Sequence, residues 1–282
     1  MDFIKRHWKK LLLICVSPFV LIFFIFGISQ FAPEKPPADF LIVRNMFDLN
    51  QTIAFSQFRS CQGHRSMSQS TKEPDSSMAH YIMTNAKFKT ESQGQVKVFA
   101  PFDGYITNSL NFQGFSFVPK SSRLPWWPFN QFRINLAHVK ALPQYNGTVA
   151  VKAGDLVGFD DPNEFYPDAT NISLDVRIGV MALPPENKAN NGEPLKNMYS
   201  MFLYMSDEVF AEYKAAIPGL ESREDFIIPL SYRAANPCKF QGNGPYFDYS
   251  QIDFQDPKYS GYVYMGTYDR MKNAGKKEQN TN

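Results

Sequence analysis

This sequence predicts a mainly β domain with a helical addition on its C-terminal side, carried on one N-terminal transmembrane helix. Three observations lead there. Short runs with apolar residues at alternate positions, separated by Gly or Asp-Gly, fill residues 96–180, the pattern of strands joined by tight turns. The composition is aromatic-rich, with Phe 26 and Tyr 14, and aromatic side chains favour pleated, half-buried surfaces. An apolar run at residues 11–28 follows a cluster of cations, and about 18 such residues suffice to cross a bilayer core as a helix.

At the N-terminus, Lys5, Arg6, Lys9 and Lys10 precede an apolar run that only Ser17, Pro18 and Gly27 interrupt. Flanking cations stay on the cytoplasmic side. Residues 1–10 are therefore expected inside, 11–29 in the membrane and the rest outside, a single-pass arrangement. A cleaved signal peptide is disfavoured, because the run is long, no Ala-x-Ala site follows and Pro33 stands where cleavage would proceed. Ile14 before Cys15, and the apolar residues after it, also exclude a lipoprotein cysteine. Residues 30–39, with Pro33, Pro36 and Pro37, read as a stiff spacer. The formal net charge is only +2, and four cations belong to the anchor. The outer part thus lacks the basic surface that nucleic-acid binding requires.

The β domain is expected over residues 40–182. Residues 40–58 read as a strand and a short helix, and 65–77 as a loop. The best-patterned pieces are 98–106, 133–139 and 149–158, where Gly154 can supply the positive φ of a turn. Asp175 and Arg177 alternate with Leu174, Val176 and Ile178, which reads as the solvated face of a strand. Residues 183–270 form the helical and loop addition. Ser206 is a candidate N-cap, with Asp207 and Glu208 in a first turn where negative charge suits the helix dipole. Val209, Phe210, Tyr213 and Ile217 fall on one face before Pro218-Gly219. A second helix is expected from Ser222 to about Tyr232, and residues 271–282 read as a frayed tail.

Two of the three cysteines, Cys61 and Cys238, lie in the outer part. In an oxidising compartment they invite a disulfide. Two unrelated buried thiols are the alternative. A metal pair of Cys61 and His64 is weaker still, since no second pair stands at matching spacing.

The wording Ala100-Pro101-Phe102-Asp103-Gly104-Tyr105-Ile106, followed by Val151-Lys152-Ala153-Gly154-Asp155-Leu156-Val157-Gly158, is similar to the biotinyl and lipoyl carrier domains. The Met-Lys-Met or Asp-Lys-Ala hairpin that carries their modified lysine is absent, so a carrier role is set aside. With Leu136-Ala137-His138-Val139 added, the stretch from Met78 to Val180 resembles the LytM/lysostaphin-type zinc metallopeptidases that cut peptidoglycan cross-links. The resemblance implies a barrel or sandwich of the duplicated hybrid-motif type. It places His80 as the first zinc ligand and Asp175 as another, with His138 as a catalytic transition-state donor. The chain departs from the family pattern at Thr84, where the His-x-x-x-Asp aspartate belongs, and at Ser173-Leu174-Asp175, where His-x-His belongs. Catalytic zinc needs three protein ligands and an open position for water. The resemblance therefore implies a degenerate member, and such members act as scaffolds or activators of cell-wall hydrolases.

Leu124-Pro125-Trp126-Trp127-Pro128-Phe129 cannot be a helix interior. Trp126 and Trp127 read either as an exposed platform for a glycan or protein, or as a loop folded over the barrel end. Asn146-Gly147-Thr148 and Asn171-Ile172-Ser173 match the glycosylation acceptor pattern.

The expected function is a membrane-anchored, non-catalytic extracytoplasmic module of the cell envelope that binds an envelope protein or cell-wall glycan and needs no cofactor. A divergent zinc peptidase using His80, Asp175 and a further ligand such as His64 is the second reading. A purely structural membrane-anchored protein is the third.

Overall fold

In a computed structural model, the described residues are 35–66, 73–84, 96–108, 114–122, 125, 131–160, 173–181, 195–242, 244, 246–248 and 257–266. Among the described residues the protein is mainly β, with antiparallel strand pairings and few helices. The expected anchor at 11–29, the Trp126-Trp127 pair, Asn171 and the tail at 271–282 lie outside the described residues. Among the described residues no helix is long and apolar enough to cross a membrane.

The described strands begin with β1 (Thr52–Ser56), β2 (His80–Thr84), β3 (Lys97–Phe99) and β4 (Gly104–Asn108). It continues with β5 (Gly114–Pro119), β6 (Phe132–Ala137), β7 (Val139–Ala141), β8 (Val149–Val151) and β9 (Leu156–Asp160). The later strands are β10 (Ser173–Met181), β11 (Leu195–Tyr199) and β12 (Tyr262–Tyr264). One sheet has the order β12-β1-β2-β10-β6-β5-β4-β8, with β11 also paired to β10, and a smaller one has the order β3-β9-β7.

The three best-patterned pieces form strands where alternation and turn chemistry put them. Gly154, at φ 89°, makes the reversal between β8 and β9. That turn docks on the residues before β4, since Gly154 N–H donates to the Ala100 carbonyl and Ala153 N–H to Asp103 Oδ1. The expected helix is α1 (Asp207–Ala216), whose first turn is capped by the Ser206 side chain accepting from Val209 N–H.

The second expected helix is not continuous. A 3-10 turn at Arg223–Phe226 and α2 (Leu230–Ala235) replace it, with Ile227 extended between them. Pro229 accounts for the break, because proline offers no N–H and pushes the residue before it out of the helical region.

Residues on both sides of position 182 share one core. Phe55 from β1 packs against Phe202, Tyr213 and Phe226, and Phe202 stacks face to face on Phe226. The C-terminal part also completes the sheet, with β12 beside β1 and β11 beside β10.

Candidate functional site

The resemblance points to β2, β10 and β6, and these strands lie side by side. Val176 stands opposite His80 on one side and Leu136 on the other. Asp175 stands opposite Tyr81 and Ala137, and His138 follows Ala137 directly. Paired residues of an antiparallel ladder share a face, and successive residues alternate. His80 is therefore on the core face with Val176 and Leu136, whereas Asp175 is on the opposite face with Tyr81. A one-residue phase separates the register positions of the two candidate ligands.

His80 is buried and committed to the interior. Its Nδ1 lies 2.7 Å from the Ser56 carbonyl and its Nε2 2.8 Å from Ser200 Oγ. A carbonyl only accepts, so Nδ1–H donates to Ser56 and the Nε2 lone pair accepts the Ser200 hydroxyl. The Phe202 ring meets the imidazole edge-on, with centroids 5.0 Å apart. Burial outweighs the Ser56 hydrogen bond and lowers the His80 pKa to about 4, which keeps the ring neutral near pH 7. Both ring nitrogens are thus engaged in hydrogen bonds within the interior.

His138 sits between β6 and β7, half-buried, with φ 61°. This left-handed backbone is uncommon for a residue with a Cβ, and it lets the chain leave the large sheet and enter the small one.

On the face that Tyr81 shares with Asp175 lies a cluster that sequence reasoning did not assemble. His64 Nδ1 is 3.1 Å from the Arg65 carbonyl, so that nitrogen carries the proton and Nε2 accepts from Arg177 Nη2 at 3.0 Å. The His64 backbone N–H donates to Tyr81 Oη, and the His64 ring stands edge-on to both Tyr81 and Tyr246. Gly63, at φ 70°, admits the Tyr81 ring where any Cβ would collide with it. Arg177 was expected on a solvated face; it is buried. Alternation correctly separated its side of the strand from the core side, but alternation carries no information about what covers the second face.

The 61–64 segment is held down from the C-terminal side. A disulfide joins Cys61 to Cys238 across 177 residues. Phe247 N–H donates to the Gly63 carbonyl, and Arg233 from α2 donates to the Arg59 carbonyl, the Asn236 carbonyl and Cys61 Sγ. Among the described residues, no group of three or more His, Cys, Asp or Glu is placed to hold a metal ion. Asn146 is exposed in the loop before β8, its Oδ1 accepting from Asn108 Nδ2.

No family model, curated protein or solved structure matches this chain.

Proposed function

We propose that this chain is a membrane-anchored, extracytoplasmic binding or scaffold module of the duplicated hybrid-motif type. The module occupies the cell envelope without hydrolysing its polymers. One observation carries the non-catalytic part of the reading. His80, the residue that the resemblance makes the first zinc ligand, is spent on Ser56 and Ser200 inside the core and lies on the face opposite Asp175. The apolar run at 11–28 behind four cations supports the anchor. The Cys61–Cys238 bridge supports an oxidising compartment for the outer part. An envelope protein or a cell-wall glycan is the partner class, with Trp126 and Trp127 as the aromatic contact residues.

Elemental analysis of the full chain, purified in detergent without chelator, tests the reading together with sedimentation against insoluble cell-wall glycan and envelope protein. The expected result is far less than one zinc per chain and saturable co-sedimentation that the Trp126→Ala/Trp127→Ala double variant loses. Close to one zinc per chain overturns it in favour of a divergent peptidase. Metal-free protein that binds no envelope component overturns it in favour of a purely structural role.

A further inference from the structure

One line of polar side chains crosses the large sheet on the face away from the core. Thr107 on β4 pairs with Ser116 on β5, Ser116 with Asn135 on β6, and Asn135 with Arg177 on β10. Direct partners share a face, so the four side chains form a single row over four adjacent strands. None is more than 4% exposed. Arg133, also buried, stands two residues from Asn135 on the same face, opposite Gly179, which brings no side chain. Burial lowers the Arg133 pKa only to about 10, which leaves it a cation at neutral pH.

The row has donor hydrogens to spare. The Ser116 hydroxyl donates to Asn135 Oδ1 at 2.7 Å, while Asn135 Nδ2 and Thr107 Oγ1 have no hydrogen-bond partner. Turning the Asn135 amide over would release the Ser116 hydroxyl hydrogen and engage one N–H instead, so the pair keeps two uncommitted donor hydrogens either way. Leaving a buried donor unsatisfied is unfavourable, because its desolvation is not offset. Strands buried on both faces ordinarily carry Val, Ile or Leu at such positions. A donor-rich, cationic row in their place is what recognition of an oxygen anion requires.

We propose that this row is a binding site for an oxyanion, a carboxylate or phosphate group. Asn135 Nδ2 and the Thr107 hydroxyl donate to it, and Arg133 and Arg177 supply positive charge beside it. The assignment goes beyond the scaffold reading and does not rest on it, since neither the anchor nor the fate of the metal ligands enters the argument.

Thermal unfolding of the full chain in detergent, with sodium phosphate, sodium acetate or sodium chloride at matched ionic strength, tests it. Phosphate or acetate is expected to raise the midpoint saturably while chloride does not, and whichever acts identifies the class of anion. Thr107→Val removes only the hydroxyl, keeps the shape, and is expected to weaken the apparent affinity roughly 5-fold, the size of one net hydrogen bond. Asn135→Leu is expected to abolish the response. If that variant does not fold, Thr107→Val decides alone. No shift of the unmodified chain by either anion, or a shift that Thr107→Val leaves untouched, overturns the site.

Discussion

Burial is what disfavours a second proton on His80. Nε2 is already receiving the Ser200 hydroxyl, and Phe202 closes the ring edge-on. The folded-state pKa of about 4 lies below the value of 6.5 in the unfolded chain, so the unfolded chain binds more protons between these limits. Stability must then rise with pH across that window, be complete above it, and be lost as the pH falls through it. The expected loss between about pH 7.5 and pH 5 is about 2 kcal/mol, read as the difference in urea unfolding free energy. In His80→Gln, that part of the pH dependence should vanish. An unchanged pH slope in the variant would remove His80 as its source.

Elements here obey local chemistry where they are exposed and long-range packing where they are not. The first turn of α1 depends on Ser206, whose side chain accepts from Val209 N–H at 3.3 Å, and on the negative charges of Asp207 and Glu208. Ser206→Ala is expected to cost about 1 kcal/mol of unfolding free energy. Ser206→Asp should preserve it, and a loss with both would point to the hydroxyl's surroundings instead of the cap. By contrast, α2 and the 3-10 turn before it are set by Pro229 and by what they deliver. Phe226 goes to the core stack and Arg233 to the Arg59 carbonyl.

At the scale of the molecule, the C-terminal part is tied to the sheet by the shared core around Phe202 and Phe226, by the pairing of β12 and β11, and by the Cys61–Cys238 bridge. Closing a loop of 177 residues in the unfolded chain contributes up to about 5 kcal/mol in the chain-entropy description. The Cys61→Ala/Cys238→Ala double variant is expected to lose about 3–5 kcal/mol in urea unfolding. Reduction of the unmodified protein should lose about the same. A loss below about 1 kcal/mol would mean that the core and the strand pairings hold the two parts together without the bridge.

The strands and turns of the pieces at 98–106, 133–139 and 149–158, the cap of α1 and the pairing of Cys61 with Cys238 are legible from residue order. The strands, turns and cap depend on neighbours a few positions away, and the cysteine pairing on count. Alternation at 174–178 likewise reveals two faces. Which face turns inward is settled by pairing between β2, β10 and β6, residues about 40 to about 95 positions apart, and a one-residue phase exchanges every side chain between faces. That phase puts His80 in the core and Tyr81 beside His64 and Arg177. It also builds the Thr107–Ser116–Asn135–Arg177 row, because a row across strands has no spacing along the chain to betray it.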